Sequence, residues 1–600
     1  MELFLTFLSF LGGLALFLYG MRTMGDALKR GSGNTLKRVL GRLTGSNLNA
    51  FLLGLVVTCI IQSSTATIVL TVGLVGAGML TYKQSIGIVV GANVGTTITA
   101  QIIRLLDINA DATGFLSLVK PSTLAPLALV VGMVIIMFIK NSTTSVSGSI
   151  AVGFGIIFTG LMNMTAAVTP LTESAAFTRM LTAFTNVPVL GFLIGLVVTI
   201  VVQSSSAVVG MLQAISLSGT FTFKTIYALM IGINIGDCTE TYFLCRIGGN
   251  TDQRRVGMFH VVYNIFGALF LIVVILLGRS LGLFDTLWDK VMHSGDIANV
   301  HAIFRLSVAA VLFPFLGLID RLTCRIIPEK ADVKPAAEPE LKMLDENLFI
   351  SPALALASAR DAIVVMSATA RTNTELAFGL FRQYDPAVME QIYANEGHID
   401  HLADSVDNYL IKLSTRVTTA EQNDRLNYLI QTFSEFERIG DLAVNIAENA
   451  TELNEKGLVF SDVALQEMDV IRSAIKDILD VTHETITEPA SGAARRIEPI
   501  EEVVDDLVAV LKTRHIERLR AGQCRTYAGL IFLDALTNIE RIADQCSNIG
   551  VYTISLSNPE AKMSHHDYIS TLHKGADTAF VSAYEANHRK YFGALPEQGE

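Results

Sequence analysis

A repeat inside the apolar half of the chain restricts its fold more than any other feature. GLVVTCIIQSSTA, beginning at Gly54, returns as GLVVTIVVQSSSA at Gly195, an offset of 141 residues. The register runs without a gap through Lys83 and Lys224 to GANVG at Gly91 and GINIG at Gly232, and 15 of the 42 paired positions are identical. A shorter match, LFLYGMRTM from Leu16 against IIFTGLMNM from Ile156, extends each unit to the preceding helix. Chance similarity between apolar segments produces Leu and Val coincidences. It does not return Gln-Ser-Ser and Gly-x-Asn-x-Gly at a single offset, so two copies of one supersecondary unit are expected to pack together.

Apolar runs of about 20 residues, the length a helix needs to cross hydrocarbon, recur at roughly 2–20, 84–104, 121–139, 149–167, 226–245, 256–277 and 301–320. Two further segments, 46–80 and 187–222, are too long for one crossing and carry polar residues and glycines at their centres. Each is expected to form a hairpin of two half-helices, because irregular backbone at membrane depth survives only when buried or lining a cavity. The basic residues Arg22, Lys29, Arg30, Lys37, Arg38 and Arg42 belong in the cytoplasm by the positive-inside rule. Counting crossings from there puts the second hairpin on the outer side and returns Arg246, Arg254, Arg255, Arg321 and Arg325 to the inside. The repeats thus have opposite topology, and their polar centres should meet near the midplane. The first segment, Leu3 to Met21, has neither a basic start nor a small-residue cleavage site and reads as a retained helix.

Charge divides the chain. Residues 1–330 carry a formal +8 and residues 331–600 carry −19, within a total of −11. No apolar run of spanning length is expected after residue 330. An acidic soluble half argues against nucleic acid as a partner and leaves multivalent cations open. Six cysteines, at 59, 238, 245, 324, 524 and 546, show neither a disulfide framework nor zinc spacing. No GxxxxGK[ST] stretch occurs, so an ion gradient is the expected energy source for any transport.

Chemistry concentrates at the repeated polar centres. Gln62, Ser63, Ser64 and Thr65, with Gln203, Ser204, Ser205 and Ser206, place amides and hydroxyls where each hairpin turns. Free N–H groups at a break between half-helices attract an oxyanion, and carbonyl ends suit a hard cation. Asn93, Thr96 and Thr97 in the first repeat, and Asn234, Asp237 and Thr239 in the second, lie beside glycines that would let a second pair of helices unwind toward that centre. Their oxygens favour sodium over transition metals. Close helix packing by Gly, Ser and Thr is the structural alternative. Asp237 and Glu240 stand where the first repeat has Thr96 and Thr99. Either could serve a cation route, or Glu240 could pair with Arg246. His260 and His301 read as packed histidines at the starts of spans.

At these motifs the apolar half resembles the type II sodium/phosphate cotransporter family over about residues 10–320. LFLYGMRTM, QSSTA, GANVGTT, QSSSA and HVVYNIFGALF at His260 look like family segments, with HAIFRL at His301 echoing the last. The resemblance implies inorganic phosphate as substrate, sodium as driving ion and alternating access. It implies that the two Gln-Ser-Ser signatures form the substrate and sodium sites; with the reading of the residues above, the expected phosphate residues are Gln62, Ser63, Ser64, Thr65, Gln203, Ser204, Ser205 and Ser206, and the expected sodium residues are Gln62, Asn93, Thr96, Thr97, Gln203, Asn234 and Asp237. GINIGDCTE departs from the more usual Thr-rich form, so the two halves are not expected to share the ions equally.

Residues 326–345, with Pro328, Pro335 and Pro339, read as a linker. Beyond it, FERIGDLAVNIAE from Phe436 resembles IERIADQCSNIGV from Ile539, and Glu396/Asp400 parallels Glu501/Asp505. Carboxylates four residues apart share a helical face, so Glu437/Asp441 and Glu540/Asp544 each present a pair that solvent or a bound cation must neutralise. Two such three-helix units look like the PhoU family over about residues 350–555, which implies metal clusters at Glu396, Asp400, Glu437, Asp441, Glu501, Asp505, Glu540 and Asp544 and a regulatory role. A stable acidic bundle with solvated charge is the alternative.

The expected fold is all-α. A polytopic helical membrane domain spans 1–325 (repeat 1 about 2–140, repeat 2 about 149–278, an extra span at 301–320), with inverted repeats and re-entrant hairpins. A linker at 326–345, a cytoplasmic PhoU-like domain at 346–555 and a helical extension or tail at 556–600 follow. The expected function is sodium-coupled transport of inorganic phosphate across the bacterial inner membrane, not enzymatic catalysis. The alternatives are a phosphate-responsive receptor without net transport, or a carrier of another small oxyanion. Expected partners are phosphate, sodium ions and the lipid bilayer, with multivalent metal ions and a second copy or a regulatory protein at the PhoU-like domain.

Overall fold

The computed structural model describes residues 2–40, 46–107, 121–139, 142–172, 187–217, 221–246, 250–329, 341–489, 492–557 and 578–596. Two compact units divide the chain, Met1–Pro335 and Ala336–Glu600. Among the described residues both are helical, and an isolated antiparallel bridge, Thr222 to Val291, is the one extended pairing. Part of the sequence-defined linker, the end of the second hairpin and part of the C-terminal extension lie outside the described residues, as does Arg42.

The first unit opens with α1 (Glu2–Leu40), the half-helices α2 (Asn47–Ile61) and α3 (Ser64–Gly76), then α4 (Tyr82–Gly95), α5 (Thr97–Ile103) and α6 (Pro121–Phe138). The pattern returns as α7 (Ser142–Thr172), half-helices α8 (Pro188–Val202) and α9 (Ser205–Ser216), α10 (Phe223–Arg246) and α11 (Thr251–Ser280). A short α12 (Asp285–Trp288), α13 (Ser294–Leu312) and α14 (Leu316–Ile326) complete it. Stretches Phe4–Leu28, Tyr82–Ile103, Ser145–Thr169, Thr251–Ser280 and Ser294–Ile326 are long and apolar enough to cross a membrane.

Glycines set the helix pairs, and they do so twice. A Cβ on Gly54 would lie 2.1 Å from the Ile88 carbonyl oxygen, and one on its repeat mate Gly195 would lie 2.3 Å from that of Leu229. From the other side, Gly91 faces the Phe51 carbonyl and Gly232 that of Phe192, each at 2.0 Å. The backbones of α2 and α4, and of α8 and α10, therefore touch in the same way, as small residues allow in membranes. These contacts correct one expectation: the glycines of GINIG do not unwind a helix, since α10 continues unbroken through Gly232 and Gly236. Close packing, the structural alternative, accounts for them.

The inversion is visible where α1 crosses α7. Gly13 meets Gly160 and Gly20 meets Gly153, an antiparallel contact that maps onto itself when the two copies are exchanged. Only repeats of opposite direction can cross in that manner.

The second unit consists of long helices: α15 (Pro352–Leu380), α16 (Pro386–Ser414), α17 (Ala420–Glu455), α18 (Asp462–Thr487), α19 (Glu498–Arg520), α20 (Thr526–Ser557) and α21 (Thr578–Phe592). In the first half α15, α16 and α17 pack on one another; α18, α19 and α20 do so in the second, and α17 joins α20 between them. Contrary to the expectation that no spanning-length apolar helix follows residue 330, Pro352–Leu380 meets that description. Its buried face is rich in alanine (Ala355, Ala359, Ala362, Ala370 and Ala377) and seats neighbouring helices, so its apolarity serves a bundle core.

Candidate functional site

Both hairpins break at glutamine. Gln62 and Gln203 adopt φ of 58° and 56°, and these two are the residues other than glycine with positive φ among those described. A left-handed glutamine ends α2 or α8, and the next residue caps the following half-helix. Ser63 accepts from the Ala66 N–H, and Ser204 from the Ala207 N–H. Left-handed backbone is unfavourable for a side chain bearing a Cβ and persists only where the surroundings fix it, often at functional sites. Ser64 and Ser205, buried, begin α3 and α9. The first-turn N–H groups of these helices carry the positive end of the dipole.

Neighbouring helices hold the first turn. The Gln62 amide oxygen accepts from Thr99 Oγ1 at 2.8 Å. Thr65 Oγ1 donates to Glu240 Oε2 at 3.3 Å, tying the first hairpin tip to α10 of the second repeat. Ser204 and Ser206 hydroxyls lie 3.2 Å apart. Glu240 therefore bonds the first hairpin, while Arg246 donates to the Tyr242 hydroxyl at 3.0 Å.

The expected sodium ligands divide. Thr96 and Thr97 hydroxyls donate to the Ala92 and Val94 carbonyls at the end of α4. Asn93 Oδ1 accepts from Arg305 Nη1 at 2.9 Å and lies 3.1 Å from His260 Nε2. Asp237 pairs with Arg305 Nη2 at 3.1 Å, both side chains being at most 4 % exposed. In contrast, Asn234 Oδ1 is buried with no partner among the described residues, and so are both ring nitrogens of His301. His260 and His301 are fully packed, and His260 lies well inside α11 rather than at its start.

Arg305 was absent from the sequence-derived site. Its signal was present: an arginine within an apolar span, four residues after His301, as Asn264 stands four after His260. Sequence separation hid its partners, since Asn93 lies 212 residues away.

In the second unit, side-chain oxygens of Glu396, Asp400 and Asp441 lie within 4.8 Å of one another, as do those of Glu501, Asp505 and Asp544. Glu437 and Glu540 stand outside these trios, and Glu540 accepts from Lys512 Nζ at 2.8 Å. Burial, then neighbouring carboxylates, pushes Glu501 up to about 9 and Asp505 up to about 7. The same two causes raise Glu396, Glu437 and Asp441. Asp505 Oδ1 is buried with no partner among the described residues. Such trios fit a hard cation, whose charge would remove the mutual repulsion.

Comparison with known proteins follows the same division. A family described as Na+/Pi-cotransporter matches residues 16–166 and again 162–285. The PhoU domain matches residues 363–450. YjbB of Escherichia coli K12, named as a candidate inorganic phosphate export protein, is 24% identical over 571 residues, covering 94% of this chain and 100% of that one. Its Salmonella typhimurium namesake is 25% identical over 521 residues, covering 86% and 91%. A phosphate-specific transport system accessory protein, PhoU homolog 1 of Thermotoga maritima, is 26% identical over 161 residues, covering 26% of this chain and 68% of its own.

Proposed function

We propose, for a chain whose membrane unit belongs to the Na+/Pi-cotransporter family and whose second unit carries a PhoU domain, that it is a sodium-coupled carrier of inorganic phosphate. It acts in the bacterial cytoplasmic membrane, with the acidic second unit in the cytoplasm as regulator. The observation that carries this reading is the pair of left-handed glutamines, at equivalent places in opposed repeats, each opening a half-helix N-terminus.

Phosphate binds between the two tips, taking N–H groups from the first turns of α3 and α9 and hydroxyls from Ser64, Thr65, Ser205 and Ser206, with the Gln62 and Gln203 amides beside it. Bonds to a charged ligand contribute about 1.5–3 kcal/mol each. Sodium finds oxygens nearby, foremost the unpartnered Asn234 Oδ1. Rocking one repeat against the other exposes this centre alternately. The curated relatives named for phosphate export bear on direction: a coupled carrier runs whichever way the summed gradients drive it. In the second unit, each carboxylate trio holds a multivalent cation, giving the regulator a cytoplasmic signal to read.

Proteoliposomes loaded with sodium or choline test the reading through flux of radiolabelled phosphate. Sodium-dependent flux is expected, and Ser64→Ala with Ser205→Ala should weaken phosphate use at least about 100-fold through two lost hydrogen bonds. Binding without flux would make the chain a receptor, and equal competition by sulfate would assign another oxyanion. Removing residues 345–600 should change the response of uptake to phosphate and divalent cations; identical kinetics would refute the regulatory role.

A further inference from the structure

Arg305 lies inside a shell of side-chain oxygens. Its Nη1 donates to Asn93 Oδ1 at 2.9 Å and to Asn264 Oδ1 at 3.1 Å, and its Nη2 to Asp237 Oδ2 at 3.1 Å. The three oxygens come from α4 of the first repeat, α10 of the second and α11. One carboxylate and two amide carbonyl oxygens form the kind of set a hard cation takes. Here a guanidinium occupies it.

The repeats show what the mate positions hold. Asp237 corresponds to Thr96 at the 141-residue offset. Arg305 follows His301 by four residues as Asn264 follows His260, and α11 packs on α3 while α13 packs on α9, the second half-helix of each hairpin. By these packing partners the neutral Thr96 and Asn264 go with the first hairpin, and Asp237 and Arg305 with the second. The negative and the positive charge occur together, so the pair is as neutral overall as its mate. A carboxylate alone at this depth would be costly and would draw in a cation.

We propose that Arg305 is a tethered cation filling the place of a coupling ion at the repeat interface, so that Asp237 takes no mobile sodium in this chain. The oxygen shell and its occupant stand on the geometry alone. The consequence for coupling, one fewer mobile cation per cycle, rests on the carrier reading above. Arg305→Asn leaves a shell with one uncompensated negative charge, which sodium should enter. Arg305→Lys keeps the fixed charge, and Asp237→Thr with Arg305→Asn reproduces the neutral mate.

The full-length protein and these three variants are purified in detergent and melted in sodium chloride and in choline chloride at equal ionic strength. Arg305→Asn should gain a sodium-specific rise of several degrees beyond that of the unaltered protein; Arg305→Lys and the double variant should not. An Arg305→Asn protein recovered folded only in sodium would support the proposal equally. The same sodium response in Arg305→Asn as in the unaltered protein, or its failure to fold in either salt, overturns it. In proteoliposomes, sodium activation of phosphate flux should steepen by about one ion in Arg305→Asn. Absence of sodium-dependent flux in the unaltered protein refutes the carrier reading, and the melting comparison still decides the tethered cation.

Discussion

Glu501→Gln should flatten the pH dependence of the second unit. Glu501 is buried on α19, and burial followed by Glu498, Asp505 and Asp544 pushes its carboxyl up to about 9. In the unfolded chain it titrates near the ordinary glutamate value. Between those two values the folded state keeps a proton that the unfolded chain releases, so the contribution to stability is complete below the unfolded value and is lost as pH rises toward 9. From pH 5 to pH 7 the loss is about 2.6 kcal/mol, or about 5–10 °C in melting temperature for a unit of this size. The assay is thermal unfolding of the full chain in detergent with chelator present, with hydrogen exchange of the α19 amides isolating this unit. The glutamine variant should lose about half of the decline and keep the share from Asp505, which is raised to about 7. Manganese should restore the unaltered protein at pH 8, by about 2.7 kcal/mol at a hundredfold excess over its dissociation constant, and should help the variant less. Parallel decline in the two proteins would refute the assignment of the penalty to Glu501.

Two further outcomes test the packing. Gly91→Ala or Gly232→Ala would drive a methyl to 2.0 Å from a carbonyl oxygen of the facing half-helix, a strain beyond the usual 1–3 kcal/mol or so of overpacking; size-exclusion profiles should show loss of monodisperse protein, whereas Gly12→Ala, with nothing within 4 Å, should elute unchanged. In the second unit the fully buried Glu467 is held by Arg518 through bonds of 2.9 and 2.6 Å. Arg518→Met should cost about 3 kcal/mol, since only the longer pairing with Arg514 at 3.8 Å remains to the buried charge, and Glu467→Leu in the same chain should recover most of the lost melting temperature.

Much of the membrane unit was legible because its information is periodic. Spacing of apolar residues gave five of the seven expected spans, whereas 121–139 falls among the shorter apolar helices and 226–245, with Asp237 and Glu240 inside it, is not apolar enough to count; the 141-residue offset paired Gln62 with Gln203. The carboxylate trios were legible in part: Glu396/Asp400 and Glu501/Asp505 lie one turn apart on their own helices, and the resemblance between halves pointed to Asp441 and Asp544. Glu437 and Glu540 were included because they share the helical face of those aspartates, yet a face spans more than one ligand position, and Lys512 takes Glu540. The glycines of GINIG were misread, since a sequence does not distinguish a glycine that frees a backbone from one that admits a neighbour.

Sequence alone determined the element type, the doubling of the unit and its opposed directions, since each follows from local periodicity and from counting crossings. Tertiary structure decided which polar groups are already satisfied. Asn93 and Asp237 look from the sequence like vacant ligands, but Arg305 arrives from a helix far along the chain and binds both. A buried charge must be paired, and only folding brings its partner within reach.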